Sequence, residues 1–224
     1  MAIDLASWKG EYLNAVKARF GGRVLFVGIQ GSHGRGEAGE GSDIDMVLIL
    51  DRVTVTDLEA YDEAISALPH RERICGFVSG REELACWSRA DLFQFCRDTL
   101  PLLGDLRPLL PEIGRDDVRA AILTGACNLY HMCGHNLVHE KDPAILKGLL
   151  KAAVFVVQAL HFDRTGVYVN RHRDLLAAVT GDERELVGAY SGSKAPGPGR
   201  DFEGLSGLLF TWAGRVVREY GRPA

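Results

Sequence analysis

Two apolar runs, Val24 to Ile29 and Ile44 to Leu50, stand on either side of a connection built almost wholly from small and polar residues, QGSHGRGEAGEGSD. Each run has the length and apolar continuity of a buried strand, and polar or glycine-rich residues bound it. The connection opens with Gly31-Ser32 and closes on Asp43, with Asp45 two residues further on. Strand residues two apart share a face, so Asp43 and Asp45 present two carboxylates together where the second strand emerges. If the connection is compact, the strands pair antiparallel and Gly31-Ser32 lies beside those carboxylates. A backbone without Cβ and a hydroxyl can meet phosphate oxygens there, while the carboxylates hold a hard divalent cation. Mg²⁺ held by one or two carboxylates plus substrate phosphates, as one ion or two, is what phosphoryl or nucleotidyl transfer needs. Gly-Ser and Asp-x-Asp are each common, and either alone reads as an ordinary surface hairpin.

Taken in order, the residues GSHGRGEAGEGSDIDMV, with positions 33–42 between Gly-Ser and Asp-hydrophobic-Asp-hydrophobic, resemble the signature of the DNA polymerase β-like nucleotidyltransferase superfamily. The resemblance implies that Asp43 and Asp45 are the catalytic, metal-binding carboxylates and that Gly31 and Ser32 hold the triphosphate of an NTP, ATP first among them. His33 and Arg35 lie in the same turn, where Arg35 can pair with the β or γ phosphate. The superfamily usually carries a third carboxylate on the following strand. Here RICGFVSG has none between Arg73 and Arg81, and the nearest acids are Glu72, Glu82 and Glu83, among which the sequence does not choose. Without one, the general base is missing, or comes from water or a second domain.

The flanking segments fit an α+β domain with a small mixed sheet and packed helices. Leu5, Trp8, Tyr12, Val16 and Phe20 follow helical spacing up to Gly21-Gly22. Thr56 to Leu68 reads as a second helix, with Thr56 and Glu59 at capping-box spacing and Pro69 closing it. Ile74 to Val78 reads as a third strand, after which Ser79-Gly80 turns into a helix containing Glu82, Leu84 and Trp87. Asp91 to Thr99 reads as helical, and Thr99 to Leu106 leads into a further strand. Pro108, Pro111 and Gly114 then interrupt the pattern, which places the nucleotidyltransferase domain at 1–112 and a helical bundle at 113–224.

In the second half Asp116 or Asp117 caps a long helix through about His139, and Asp142-Pro143 opens another through about Asp163. Shorter helices over Arg173–Val179 and Asp182–Tyr190, a Ser/Gly/Pro-rich loop from Ser191 to Gly199, and a last helix over Asp201–Tyr220 complete the bundle. The stretch KAAVFVVQALHFDRTGVYVNRHRDLL is similar to the helical substrate-binding domains of aminoglycoside-type and related small-molecule nucleotidyltransferases. That similarity implies an acceptor bound in the interdomain cleft and basic residues reaching the triphosphate, for which Lys151, Arg171 and Arg173 are placed. Charges flanking a helix also read simply as a solvated edge. A cationic, aminoglycoside-like acceptor favours acidic surroundings, which Asp116, Asp117, Glu140, Asp142, Asp163 and Asp174 can supply.

Cys127, His131, His135 and His139 recur every four residues on one helical stripe. Adjacent members have zinc-ligand geometry, but Zn²⁺ wants three or four ligands, and a polar stripe facing the acceptor is the simpler reading. Trp87, Phe93 and Phe95 suit stacking on adenine or lining an acceptor pocket, and equally suit a core. The net charge of −4 speaks against nucleic-acid backbone binding, and hence against a polymerase or RNA-tailing role. Five cysteines without a CxxC pair fit reduced thiols in a cytoplasmic protein. The N-terminal MAIDLASWKG has no basic-then-apolar leader, and no uninterrupted run of 18 apolar residues suggests a membrane span. A homodimer is compatible with all of this.

The function expected is transfer of a nucleoside monophosphate from an NTP to a hydroxyl of a small molecule. The alternatives are an antitoxin-like or regulatory protein of the same fold that binds or nucleotidylates a protein partner, and a nucleotide-binding pseudoenzyme. Against the antitoxin reading, the helical half is fused in the same chain, and no arginine is followed four to six residues later by histidine.

Overall fold

Helix α1, Leu5–Phe20, is capped by the Asp4 carboxylate, which accepts from the Ala6 and Ser7 amides. Its buried residues, Trp8, Tyr12, Val16 and Phe20, are the apolar stripe of the sequence. The computed structural model describes residues 4–192 and 201–222. The loop read over Ser191–Gly199 lies, from residue 193 on, outside the described residues, as do the first three residues of the N-terminal segment.

The chain is α+β and divides into two compact units. One comprises the chain up to Ser88 together with Phe95–Glu112, the other Arg89–Gln94 together with the chain from Ile113 onward. In the first unit α1 leads into β1 (Val24–Ile29), α2 (Gly31–Arg35), β2 (Ile44–Leu50), α3 (Val55–Ser66), β3 (Ile74–Gly80) and α4 (Arg81–Ala85). Helix α5 (Arg89–Asp98) contributes to both units, and β4 (Leu100–Leu103) completes the sheet. The strand order is β3-β2-β1-β4. The β1–β2 and β1–β4 pairs are antiparallel and β2–β3 is parallel, so the sheet is mixed, with α3 as the crossover that a parallel pair requires.

One sheet face packs Val27, Ile29, Ile44, Met46, Leu48 and Leu50 against α1 and against Ala60 and Ile65 of α3. Each such side chain taken from water contributes roughly 1.5–3 kcal/mol, so this layer fixes which face of β2 points inward. The opposite face therefore carries Asp45, Val47 and Ile49. Two polar contacts finish the layer: Trp8 Nε1 donates to the Pro69 carbonyl at 2.8 Å, and the Tyr12 and Tyr61 hydroxyls lie 3.0 Å apart.

Helix α3 starts before the position that Thr56 and Glu59 suggest. Its capping box is Thr54 with Asp57, whose carboxylate accepts from the Thr54 amide at 2.9 Å. Arg23 selects this register by donating to both Asp57 oxygens, at 2.6 and 3.2 Å. Helix α4 ends at Ala85, so Trp87 lies beyond it.

Among the described residues the second unit is built of helices: α6 (Arg115–His135), α7 (Pro143–Thr165), α8 (His172–Ala178), α9 (Gly181–Ser191) and α10 (Phe202–Tyr220). Asp117, not at the cap but in the first turn of α6, accepts from the Gly114 amide at 2.8 Å. The helix extends past His135 only as a π-helical turn, Asn136–Glu140, closed by Lys141 N to Asn136 O at 2.7 Å. Helix α7 has the length and apolar content of a bilayer-spanning helix, yet it is the central helix of this core, with Ala153, Val154, Val157 and Leu160 buried. Ile122, Ala126 and Leu129 of α6 and Leu209, Trp212 and Ala213 of α10 meet it there. Asp163, with its side chain 5% exposed, ties the bundle by accepting from Arg115 at 3.0 Å and from the Tyr220 hydroxyl at 3.0 Å.

Candidate active site

The site forms where β1 ends and β2 begins. The Gln30 amide donates to the Asp45 carbonyl at 2.8 Å, one step beyond the paired strands, and the chain then turns directly into α2. Gln30 is held from the side as well, its Nε2 donating to Thr99 Oγ1 at 2.6 Å and to the Phe95 carbonyl at 3.2 Å. Gly31, the first residue of α2, has φ +65°, and a Cβ built on it would lie 1.8 Å from Asp45 Oδ2. Only a residue without a side chain lets the turn rest on that carboxylate. The first N–H groups of any helix lack partners within it. The start of α2 at Gly31 thus lies against Asp45, and a helix start beside a carboxylate suits an anion that brings its own cation.

Asp43 is exposed one residue ahead of β2, and Asp45 is half-buried at its second position. These hard oxygen donors fit Mg²⁺, which is held by one or two carboxylates with substrate phosphates completing its shell. Among the described residues, no group of three or more His, Cys, Asp or Glu side chains is placed to hold a metal by itself. The donor set thus fits an ion that arrives with its nucleotide and does not form an all-protein cage.

Strand register locates the acids that the sequence left open. Asp45 pairs with Cys75 on β3, and Leu50 pairs with Gly80. Glu82 and Glu83 follow Gly80, so they sit past the far end of the strand, about five residues or ~17 Å from the Asp45 end. Glu72 lies at the near end but is exposed on the turn before β3, 4.0 Å from His70. The residue across from Asp45 is therefore an exposed cysteine.

His33 sits inside the turn. Its Nε2 is buried without a hydrogen-bond partner, and burial pushes its pKa below the ordinary value, which favours the neutral imidazole. Arg35 is buried, and its Nε donates to Glu37 Oε2 at 3.2 Å, so its charge lies under the turn. Arg73, which the sequence reading passed over, sends both Nε and Nη2 to the Ser42 carbonyl, at 3.0 and 2.6 Å. Nothing in the local pattern announces that contact, since 30 intervening positions separate donor from acceptor.

The remaining sequence candidates are dispersed. The Phe77 ring on β3 meets Trp87 at 5.3 Å and Phe95 at 5.0 Å, both edge to face. Trp87 is exposed, while Phe93 is core of the second unit against Phe162 and Tyr168. Lys151, Arg171 and Arg173 are exposed residues of the second unit, with Arg173 3.4 Å from Asp174. Cys127, His131, His135 and His139 are exposed, and His135 pairs with Glu140 at 3.3 Å. The acids do not form one acidic wall. Asp163 is consumed in the bundle, Asp142 caps α7 through the Ala144 amide at 2.7 Å, and Asp117 in the first turn of α6 accepts from the Gly114 amide. All five cysteines are free.

Comparison with known proteins bears on the domain and the fold. Residues 10–96, which span α1 to α5, match the family model described as a nucleotidyltransferase domain. Among solved structures, the spectinomycin adenyltransferase AAD(9) from Enterococcus faecialis, crystallised with ATP and spectinomycin, aligns over 93% of this chain and 99% of its own. The TM-score is 0.59 at 15% sequence identity, a likeness of fold. No curated protein sequence matches the chain.

Proposed function

Because residues 10–96 are a nucleotidyltransferase domain of the DNA polymerase β-like kind, and the chain accordingly a nucleotidyl-transferring enzyme, we propose that it moves a nucleoside monophosphate from ATP to a hydroxyl of a small molecule of the aminoglycoside type. The observation that carries the reading is the seating of Gly31 on the Asp45 carboxylate, which puts the start of α2 against an acid of β2. The structural neighbour bound to ATP and spectinomycin supports the choice of donor and acceptor class.

In this reading the Gly31 and Ser32 amides and the Ser32 hydroxyl bind the triphosphate, and Asp43 and Asp45 hold Mg²⁺. The bound ion would neutralise charge on the phosphates and orient the α-phosphorus. Arg35, buried on Glu37, contributes positive charge beneath the turn and is not a surface ligand. The acceptor oxygen bonds to the α-phosphorus as the bond to the bridging oxygen of the β-phosphate breaks, and pyrophosphate leaves. With Cys75 across from Asp45, the hydroxyl proton passes to water. The second unit selects the acceptor.

The test is incubation with ATP, Mg²⁺ and a pooled panel of aminoglycosides, lincosamides and other polyhydroxylated compounds, read by mass spectrometry. A compound gaining one adenylyl group supports the reading and identifies the acceptor. Label appearing on a protein, or no adenylylated compound while ATP binds, would contradict it.

A further inference from the structure

The segment between α2 and β2 is poorly suited to holding a carboxylate still. Gly36, Ala38, Gly39, Glu40 and Gly41 are exposed, and a glycine-rich stretch loses much conformational entropy on being fixed. Yet Asp43 lies at its end. The segment is fastened at Ser42, the residue just before. There the chain closes on itself, Ser42 N donating to the Gly39 carbonyl at 3.2 Å and Ser42 Oγ accepting from the Gly39 amide at 2.9 Å. The outward-turned Ser42 carbonyl takes two bonds from one guanidinium, Arg73 Nε at 3.0 Å and Nη2 at 2.6 Å.

We infer that Arg73 is the positioning residue of the cation site: by gripping the Ser42 carbonyl it fixes Asp43 beside Asp45. The position is suited to the task. Arg73 immediately precedes Ile74, which pairs with Ile44 in the parallel register, so the guanidinium's root is anchored to the strand that begins with the site. A planar fork delivering two charge-assisted bonds to one carbonyl fixes direction as well as distance, which a single ammonium does not. The inference rests on the reading of Asp43 and Asp45 as cation ligands.

The sign of the effect separates this role from simple electrostatics. Arg73 is a cation close to a proposed cation site, so if it acted only through charge, its removal would tighten metal binding. If it acts by positioning, removal weakens binding despite the lost repulsion. Mn²⁺ titrated into the full chain together with an ATP analogue that cannot be cleaved between the α and β phosphates, which supplies the phosphate oxygens that complete the ion's shell, and followed by electron paramagnetic resonance reads this without catalysis. Native protein, Arg73→Gln, Arg73→Lys and Asp45→Asn are compared, with melting curves for each.

The native chain is expected to bind Mn²⁺ and Asp45→Asn to lose it. Arg73→Gln and Arg73→Lys are each expected to bind about tenfold more weakly, the scale on which partners behind metal ligands act. Should Arg73→Gln melt early, Arg73→Lys keeps charge and stem and carries the test. Unchanged or tighter binding by the folded Arg73 variants, with Asp45→Asn still defective, would overturn the positioning role alone. Absence of binding by the native chain would overturn the cation-site reading, and the inference with it.

Discussion

A methyl group on Gly31 would stand 1.8 Å from Asp45 Oδ2, so the first residue of α2 and the carboxylate of β2 fit together only while position 31 has no side chain. This contact joins the two halves of the candidate site, the turn proposed to bind phosphate and the strand proposed to hold the metal.

Replacing Gly31 with alanine should therefore act twice. The φ of +65° is left-handed backbone, costing about 1 kcal/mol for an L-residue, and the new methyl must push Asp45 aside. We expect a melting temperature only modestly lowered and a rate of adenylyl transfer reduced by on the order of 100-fold, as for an ångström-scale misplacement. Thermal melting and initial rates on the same preparation check this. Full activity in Gly31→Ala would show that the contact is dispensable.

The Arg23 cluster should give the first unit an acid-sensitive component of stability. Arg23 beside Asp57 holds that carboxyl well below its usual range, and also lowers Asp51. A depressed folded-state pKa means that the unfolded chain binds the proton more readily. The contribution is thus present at neutral pH and is lost as pH falls below about 4 towards the folded value. The melting-temperature gap between native protein and Asp57→Asn should be widest near neutrality and close progressively in acid. A gap independent of pH would assign Asp57 a purely geometric capping role.

How far the sequence disclosed this molecule depended on whether a contact was local. The limits of β1 and β2 were legible because each is a continuous apolar run between polar neighbours. The α1 stripe was legible because Trp8, Tyr12, Val16 and Phe20 repeat every four residues. The start of α3 was not, since Thr54/Asp57 and Thr56/Glu59 carry overlapping capping patterns. Arg23, distant in the chain, decides between them. Helix α2, five residues with two glycines, has no apolar period to detect. In the candidate site, the spacing singled out Gly31 and Asp45, which the structure brings into contact. The exclusion of Glu82 and Glu83 by strand register and the grip of Arg73 on Ser42 depend on partners far away in sequence. The starts at Asp117 and Asp142 were legible because their partners are local, whereas the tie that Asp163 makes to Arg115 and Tyr220 was hidden by distance in the chain.

The helical unit should depend on Asp163. Replacing it with asparagine removes the charge that meets Arg115, Arg119 and the Tyr220 hydroxyl. We expect about 2 kcal/mol of destabilisation, less than for a fully buried pair because both arginines reach solvent. Urea unfolding followed by circular dichroism measures it, and an unchanged midpoint would contradict the role.

The same network predicts an alkaline limit. Burial and Asp163 push the Tyr220 pKa from 10.0 up to about 12. The folded state keeps that proton longer than the unfolded chain, so the associated stability is complete below pH 10 and is lost as pH rises towards 12. Tyr220→Phe, which has no proton to lose, should show a shallower decline in melting temperature over that interval. An equal slope in both proteins would place the alkaline transition elsewhere.

The most direct test of the account is pyrophosphate release from ATP with Mg²⁺ and the identified acceptor, comparing the native chain with Asp45→Asn. The account predicts acceptor-dependent release by the native protein and a loss of at least about a thousandfold in a variant that still melts cooperatively. Release that persists in Asp45→Asn would contradict the assignment of the centre to the Gly31–Asp45 contact.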